Sequence, residues 1–569
     1  MMKNYLLLLA GCLCWNAEIL RAQDLSTLPK AKDAFQINGS VDLTFGFYDA
    51  FGDIDPRRDR YQYLVSGNLN PRFYGIDMPL NAVYSQQETT FLQPFNRFGL
   101  SPRYKDITGH FGFRTLTYSP LTLNGHLFLG AGVDYTVRPK TGPVNYVIRA
   151  MYGRLRRPVE PLEAQQEGFL PSYRRMGYSV SAGVVSRKNS ANYLNMVLLR
   201  GEDRIGSIEA PLLSQNVKPE DNLVVGLNGQ VQLLKSITFK FDAAQSALTR
   251  DQRDESVEST KTIVDLFDGL YTPTVSTQVK DALKTETRYS NDKFYVGVNY
   301  NRIDPDYRTH GSYFFQNDIE EATLNAGTRL FAGKVQVSGS IGGQRNNLED
   351  QQSTAQRRFI GSFNWNHTVN SRFNYNLSYS NFSSSLLVQQ DVLTDSLNLY
   401  QISTNYTGGA NYSFGSEEGK QRIGLVLSHQ IGNSRDEYFI SENITKFYNA
   451  GLSYLIGFPK LEASAQFGFN YTLNDTDLFE STNVGPSLGL SKKFFDKKIT
   501  ARYVLSYLSN TQNGENLFGV VTNRFNLNYK FHPKHTVRLG FGTLSKNDKQ
   551  SSVNSYSEFR ATVGYRLRF

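Results

Sequence analysis

The chain has 569 residues, 34 Tyr, 38 Phe and a formal net charge of +9, but only two Cys and two Trp. Beyond residue 22 no stretch approaches the ~18–20 consecutive apolar residues of a spanning helix, which excludes a helical membrane protein. Both cysteines, Cys12 and Cys14, lie in the leader, which excludes a disulfide scaffold and any Cys-based metal or redox centre further along.

Residues 1–22 read as a cleaved signal peptide, with Lys3, the apolar stretch Tyr5–Trp15 and a cut between Ala22 and Gln23. Leu9-Ala10-Gly11-Cys12 offers the alternative of lipidation at Cys12. Either reading takes the chain out of the cytoplasm, with 23–34 as a short periplasmic segment. Strand candidates then run Phe35–Tyr48, Tyr61–Asn70 and Leu80–Ser85. Glu88–Asp106, carrying Pro94 and Pro102, is too Pro-punctuated for a central strand and is expected as an ordered loop or inward constriction. Ile107–Leu116, His126–Arg138 and Pro143–Leu155 follow, then a Pro-rich outer loop over Arg156–Arg174. Next come Met176–Arg187, Tyr193–Arg200, Leu223–Leu233 and Ile237–Leu248. Asp251–Ala282 reads as a loop insertion, in which Ile263, Leu266, Phe267 and Leu270 predict a short helix. Tyr289–Ile303 resumes the strands.

The C-terminal half alternates most cleanly. In the last strand Phe559, Ala561, Val563, Tyr565, Leu567 and Phe569 oppose Glu558, Arg560, Thr562, Gly564, Arg566 and Arg568. Runs of about ten alternating residues suit tilted strands crossing a bilayer. Tight connections at Ala332-Gly333, Val369-Asn370, Ser416–Gly419, Phe458–Lys460, Phe495–Lys497 and His532–Lys534 alternate with longer ones: Asn346–Thr354, Ser383–Leu399, Asn433–Asn443, Asn474–Ser481, Asn510–Asn516 and Lys546–Ser555. A soluble sandwich has no reason to keep that parity. The expectation is an all-β fold: a large antiparallel transmembrane β-barrel over 35–569 of about 24 strands (roughly 20–26), with short periplasmic turns and long extracellular loops.

Trp365, shortly before a tight connection, is expected to face outward in the periplasmic aromatic belt. Phe569 ends the last strand in the manner of a terminal signal for barrel insertion. Arg502, Arg524, Arg538, Arg560, Arg566 and Arg568 fall on the polar face of the last four strands and are candidates to draw anionic solutes into a lumen; the competing role is cross-strand pairing. No P-loop, dinucleotide fingerprint or His-Glu-x-x-His is present, so no catalytic, cofactor or metal residue is assigned. His532 and His535 flank a turn Pro and read as a solvated turn.

Gln93–Pro102, Tyr118–His126, Met151–Arg154 and Tyr313–Asp318 resemble stretches of poorly characterised Bacteroidota-type outer-membrane β-barrel proteins. The resemblance implies a Gram-negative outer-membrane location and transfers no catalytic residue. With strands expected from near Phe35, the resemblance departs from TonB-dependent receptors, which carry a plug domain before the barrel, and a complete receptor of that kind is not expected. The leading functional expectation is a transport or channel barrel. The alternatives are a non-enzymatic scaffold of an outer-membrane or secretion complex, and a soluble β-rich binding protein. Expected partners are outer-membrane lipid and lipopolysaccharide, the insertion machinery, and in the scaffold reading a lipoprotein or secretion partner. No nucleic-acid module is found.

Overall fold

The computed structural model describes residues 35–569 except 53, 87–95, 162–170, 210–216, 259–266, 268, 314–315, 351–356, 386–398, 417, 437–440 and 551–554. Every long strand pairs antiparallel with its neighbours in sequence, and the first, Phe35–Gly52, pairs with the last, Tyr556–Arg568, so the sheet closes on itself. Leaving aside Ile76–Asp77 and Arg103–Tyr104, two short edge ladders, the wall has 26 strands. Closure is what bilayer hydrocarbon demands, because an open edge would leave backbone groups unpaired. At ~4.8 Å between strands and ~40° tilt, a circular wall of this number is roughly 50 Å across.

The faces are distinguished by what packs on them. A buried cluster unites Tyr118, Leu121 and Phe128 with Val197, Val224, Ala282, Tyr307 and Ile319, and draws in all on eight strands and two connections. Only the concave side of a barrel brings so many strands toward one segment. On the opposite face Leu194, Met196, Leu227, Val231, Phe239 and Leu283 are exposed in alternating register, as lipid-facing residues of a barrel are. Around the short-turn end this apolar face carries a girdle of rings, including Phe73 against Tyr74, Phe331, Phe373 against Tyr412, Phe495 and Phe531.

Several expectations are corrected. Tyr289–Ile303 is not one strand: Thr277–Ser290 and Phe294–Ile303 are separate, joined at 291–293 where Asn291 Oδ1 accepts from the Lys293 and Phe294 amides. The insertion therefore ends before Thr277. Its outward pattern (Val279, Leu283, Tyr289) is interrupted by Asp281, Thr285 and Thr287, which hid the strand. Most of the expected helix lies outside the described residues. The described end, with Phe267 and Tyr271, folds onto the outer face over Leu198, Leu223 and Ala247. Within Glu88–Asp106, Arg97–Leu100 does enter the wall, but as a four-residue strand.

The alternation of connection lengths also changes character. Residues 477–479 and 513–514 make tight turns at the long-loop end, where longer connections were expected. Asn513 and Gly514 both have positive φ, 49° and 86°, the conformation an Asn-Gly hairpin selects. The polar residues that look like loop are strand: Leu399–Gly415, Lys420–Asp436, Ser441–Phe458 and Glu515–His532 have 17, 17, 18 and 18 residues. A bilayer needs only about 9–11. These strands project well past it.

Candidate functional site

The inner wall divides into three sectors. The first, over the strands from Ile107–Thr117 to Ile319–Leu330, carries a shelf at its long-loop end. Two connections fold inward there: 118–123 and, over its described residues, 304–313. Ser119 Oγ donates to Asp242 at 2.8 Å and accepts from the Leu121 amide at 3.1 Å, so the first turn is pinned to the wall. Thr122 sits over Gly226, where a Cβ would come within 2.5 Å of its Cγ2. The second connection lies on the first. Tyr307 Oη donates to the Leu121 carbonyl (2.7 Å), Thr309 Oγ1 to the Thr122 carbonyl (2.8 Å), and the Asn124 amide to the Gly311 carbonyl (2.8 Å). Gly311 is required by this stacking: a Cβ would lie 2.5 Å from the Thr122 carbonyl oxygen and 2.8 Å from Leu123 Cα.

A buried charge network anchors the shelf. Arg175 pairs with Asp203 through two 2.8 Å hydrogen bonds and with Glu220 at 2.6 Å. Glu220 also accepts from Arg308 at 3.1 Å and lies 3.1 Å from His310 Nε2. Burial alone would raise Glu220, but Arg308, Arg175 and His310 outweigh it and hold the carboxyl well below its usual range. Burial and the nearby Arg175 push His310 down to about 4, against the pull of Glu220. His310 also faces the Gly201 carbonyl through Nδ1 at 2.9 Å. The neutral ring carries one proton, so only one of the two oxygens receives it.

Three of the four stretches that carry the family resemblance meet here. Tyr118–His126 forms the first turn, Met151 joins the buried cluster, and Tyr313 stacks on His126 with ring centroids 4.1 Å apart. The shelf itself left no periodic signal in the sequence. Its separate motifs were the available clue. Residues 93–95 of the fourth stretch lie outside the described residues.

The second sector, from Arg357–Thr368 to Glu480–Phe494, presents inward Ser362, Asn364, Asn376, Asn411, Gln466, Asn470 and Asn483 among glycines and serines, with Lys420, Arg422 and Lys493 among its charges.

The third sector holds the predicted arginines, and all six lie on its inward register. Arg538 and Arg566 both donate to Asp42 Oδ1, at 2.5 and 2.6 Å, across the seam that closes the barrel. The expectation that few carboxylates oppose the arginines fails for this pair, because Asp42 comes from the first strand, a neighbour created only by closure. Arg502, Arg524 and Arg560 have no carboxylate within ion-pair distance among the described residues. Arg568 closes the last strand opposite Ser40. Trp365 stands on the apolar face between Val337 and Leu377, three residues from the end of its strand, with His367 edge-on at 6.5 Å. Phe569 donates its amide to the Gly39 carbonyl (3.0 Å).

No protein-family model matches the sequence, and no curated protein matches it. Solved structures similar to it are outer-membrane-type barrels. The FrpB iron transporter from Neisseria meningitidis is 11% identical with a TM-score of 0.39, covering 93% of this chain and 81% of that one. The P pilus usher (PapC) translocation pore is 10% identical at 0.37, covering 94% and 99%. Acinetobacter baumannii OccAB2 is 10% identical at 0.28, covering 62% and 92%. At such identities the likeness stops at barrel architecture.

Proposed function

We propose that the chain is an outer-membrane barrel that passes a solute through its lumen. The observation that carries this reading is the pairing of a closed, lipid-facing wall with a polar interior. The wall is roughly 50 Å wide, whereas the described inward connections gather on one flank of it. The long-loop end is the extracellular one and the short-turn end periplasmic, as in bacterial outer-membrane barrels. The leader and the Bacteroidota-type resemblance support export to a Gram-negative outer membrane, with lipopolysaccharide around the wall and the insertion machinery engaging Phe569. Planar-bilayer recordings of the purified full chain test the reading: stable single-channel steps are expected, and a barrel that stays silent across ±150 mV (~2.3 kcal/mol per charge per 100 mV) refutes an open pathway. A second reading, a scaffold that docks a lipoprotein or secretion partner, is favoured by the strands of 17–18 residues that stand beyond the bilayer. Co-purification in mild detergent tests it, and a solitary monomer counts against it.

A further inference from the structure

We propose that the closure seam carries an oxyanion-binding site on the inner wall, formed by Arg524, Arg560 and Tyr48. It rests on the passage reading above and names the solute class: one bearing phosphate or carboxylate groups. Three strands and the first one place these residues on a single row, Arg524 opposite Gly542, Gly542 opposite Arg560, and Arg560 opposite Tyr48. The two arginines stand two strands apart, roughly 10 Å, which extended guanidiniums on either side of one anion can close.

The floor between them is bare. Gly542 lies between the arginines, and the next row places Gly540 and Gly46 beside Thr562. A Cβ at Gly542 or Gly46 would meet nothing nearer than 3.6 Å, and neither has positive φ. An alanine would fit at both. Packing and backbone conformation therefore do not call for glycine, and what its presence leaves is a stretch of wall between two cations with no side chain on it.

Donors on this part of the inner wall lack acceptors. Tyr48 is 3% exposed, and its hydroxyl has no hydrogen-bond partner; Arg538 Nε, four residues along its strand from Gly542, is likewise buried and unpartnered. Leaving a buried donor unsatisfied is costly, and a guanidinium can offer only donors. Of the nearby carboxylates, Asp42 is taken by Arg538 and Arg566, while Glu558, two residues before Arg560, pairs with Arg57 at 3.7 Å and its buried Oε1 accepts no hydrogen bond among the described residues. The group that satisfies this set is an acceptor with negative charge. Because the row faces the lumen, a lipid headgroup in the surrounding bilayer cannot reach it, so the ligand is a solute.

Isothermal titration of the purified full-length barrel in detergent, at low salt, tests the site with pyrophosphate and, separately, citrate. Saturable one-site binding of at least one probe is expected; pyrophosphate alone assigns phosphoryl solutes, and citrate alone carboxylates. Arg524→Gln with Arg560→Gln should weaken binding at least ~30-fold, at about tenfold per lost charge-assisted contact. Gly542→Leu, which fills the floor and keeps every charge, should weaken it ~10-fold, and Tyr48→Phe several-fold. Arg502→Gln should change it less than about twofold. Heat-modifiable gel mobility verifies that each variant is a closed barrel. Absence of saturable binding of both probes, or wild-type affinity in the double arginine variant, overturns the site. Because binding in detergent requires no flux, a barrel silent in bilayers refutes passage and leaves this assignment standing.

Discussion

Glu220→Gln is the sharpest test of how the shelf is held. The carboxylate serves Arg175, Arg308 and His310 together, and the three partners' side chains are 6%, 32% and 1% exposed. Gln keeps the volume and one acceptor, but turns an amide NH2 toward groups that can only donate or that already carry a proton. Breaking a buried pair costs about 3–5 kcal/mol. The low end applies here, because Arg175 keeps both hydrogen bonds to Asp203 and Arg308 is exposed enough to turn toward water. A loss of ~3 kcal/mol is a factor of about 150 in the opening equilibrium. Hydrogen–deuterium exchange of the detergent-solubilised barrel should therefore show the protected amides of 304–313, such as His310 N–H on Asn222, exchanging about a hundredfold faster. The strand amides should be unchanged. Asp251→Asn, in the connection that folds onto the outer face, should leave 304–313 as it is in the wild type. Unchanged protection in Glu220→Gln, with heat-modifiable mobility intact, would show that apolar packing alone docks the shelf.

Acid should open the same shelf. His310, at about 4 when docked and 6.5 when free, binds its proton preferentially in the open state, so stability is lost as pH falls from 6.5 toward 4, by ~3 kcal/mol in all. Glu220, depressed below its free value of 4.5, adds a further loss below that pH. Protection of 304–313, corrected for intrinsic exchange, should fall in that window; protection that rises or stays flat down to pH 3 is the contrary result. Gly311→Ala sets a Cβ against the Thr122 backbone and should undock the shelf by about 1–3 kcal/mol, read in the same exchange experiment. Asp42→Asn removes the negative charge shared by Arg538 and Arg566 and should lower the temperature of the heat-modifiable gel shift, by about 2 kcal/mol of seam stability; an unmoved transition contradicts that role. Trp365 emission, separated from Trp15 by cleavage or by Trp15→Phe, should be quenched more strongly by lipids brominated near the headgroup than by those brominated at the chain ends.

Strands were legible because their signal is local. A residue's inward or outward sense is fixed by its parity, and Phe525, Leu527 and Tyr529 can be told from Arg524, Asn526 and Asn528 without knowing what lies beside them. Thr277–Ser290 failed that test because Asp281, Thr285 and Thr287 stand on its outward side; Asp281 there receives the Gln245 side-chain amide at 2.8 Å. Turns were legible where their residues differ from strand residues. The C-terminal hairpins defeated this because strands outside the bilayer need no apolar face, so polar strand and polar loop look alike. The shelf was not legible at all. Its stability comes from Tyr307 on the Leu121 carbonyl and Arg308 on Glu220, contacts 186 and 88 residues apart in sequence.

The arginines show why a list of charges is a weaker guide than their neighbours. Six of them look equivalent along the last four strands, and closure separates them. Asp42, from the far end of the chain, neutralises two; Arg568 stands opposite Ser40 at the end of its strand; Arg502 stands among asparagine and serine. Arg524 and Arg560 alone flank an unfilled glycine opposite a buried phenol. The amide-lined sector, whose own inward cations Lys420, Arg422 and Lys493 sit near its short-turn end, gives way to this one, so a solute following the wall moves from mostly neutral hydrogen-bonding groups to a denser row of positive charge. A fixed charge in a lumen screened over ~8–10 Å at physiological salt acts only on what passes close to the wall. In a cross-section roughly 50 Å wide the pair cannot filter the whole lumen. Its effect has to be binding at the wall, which is why affinity for a soluble anion, and not bulk ion selectivity, is the quantity that decides its role.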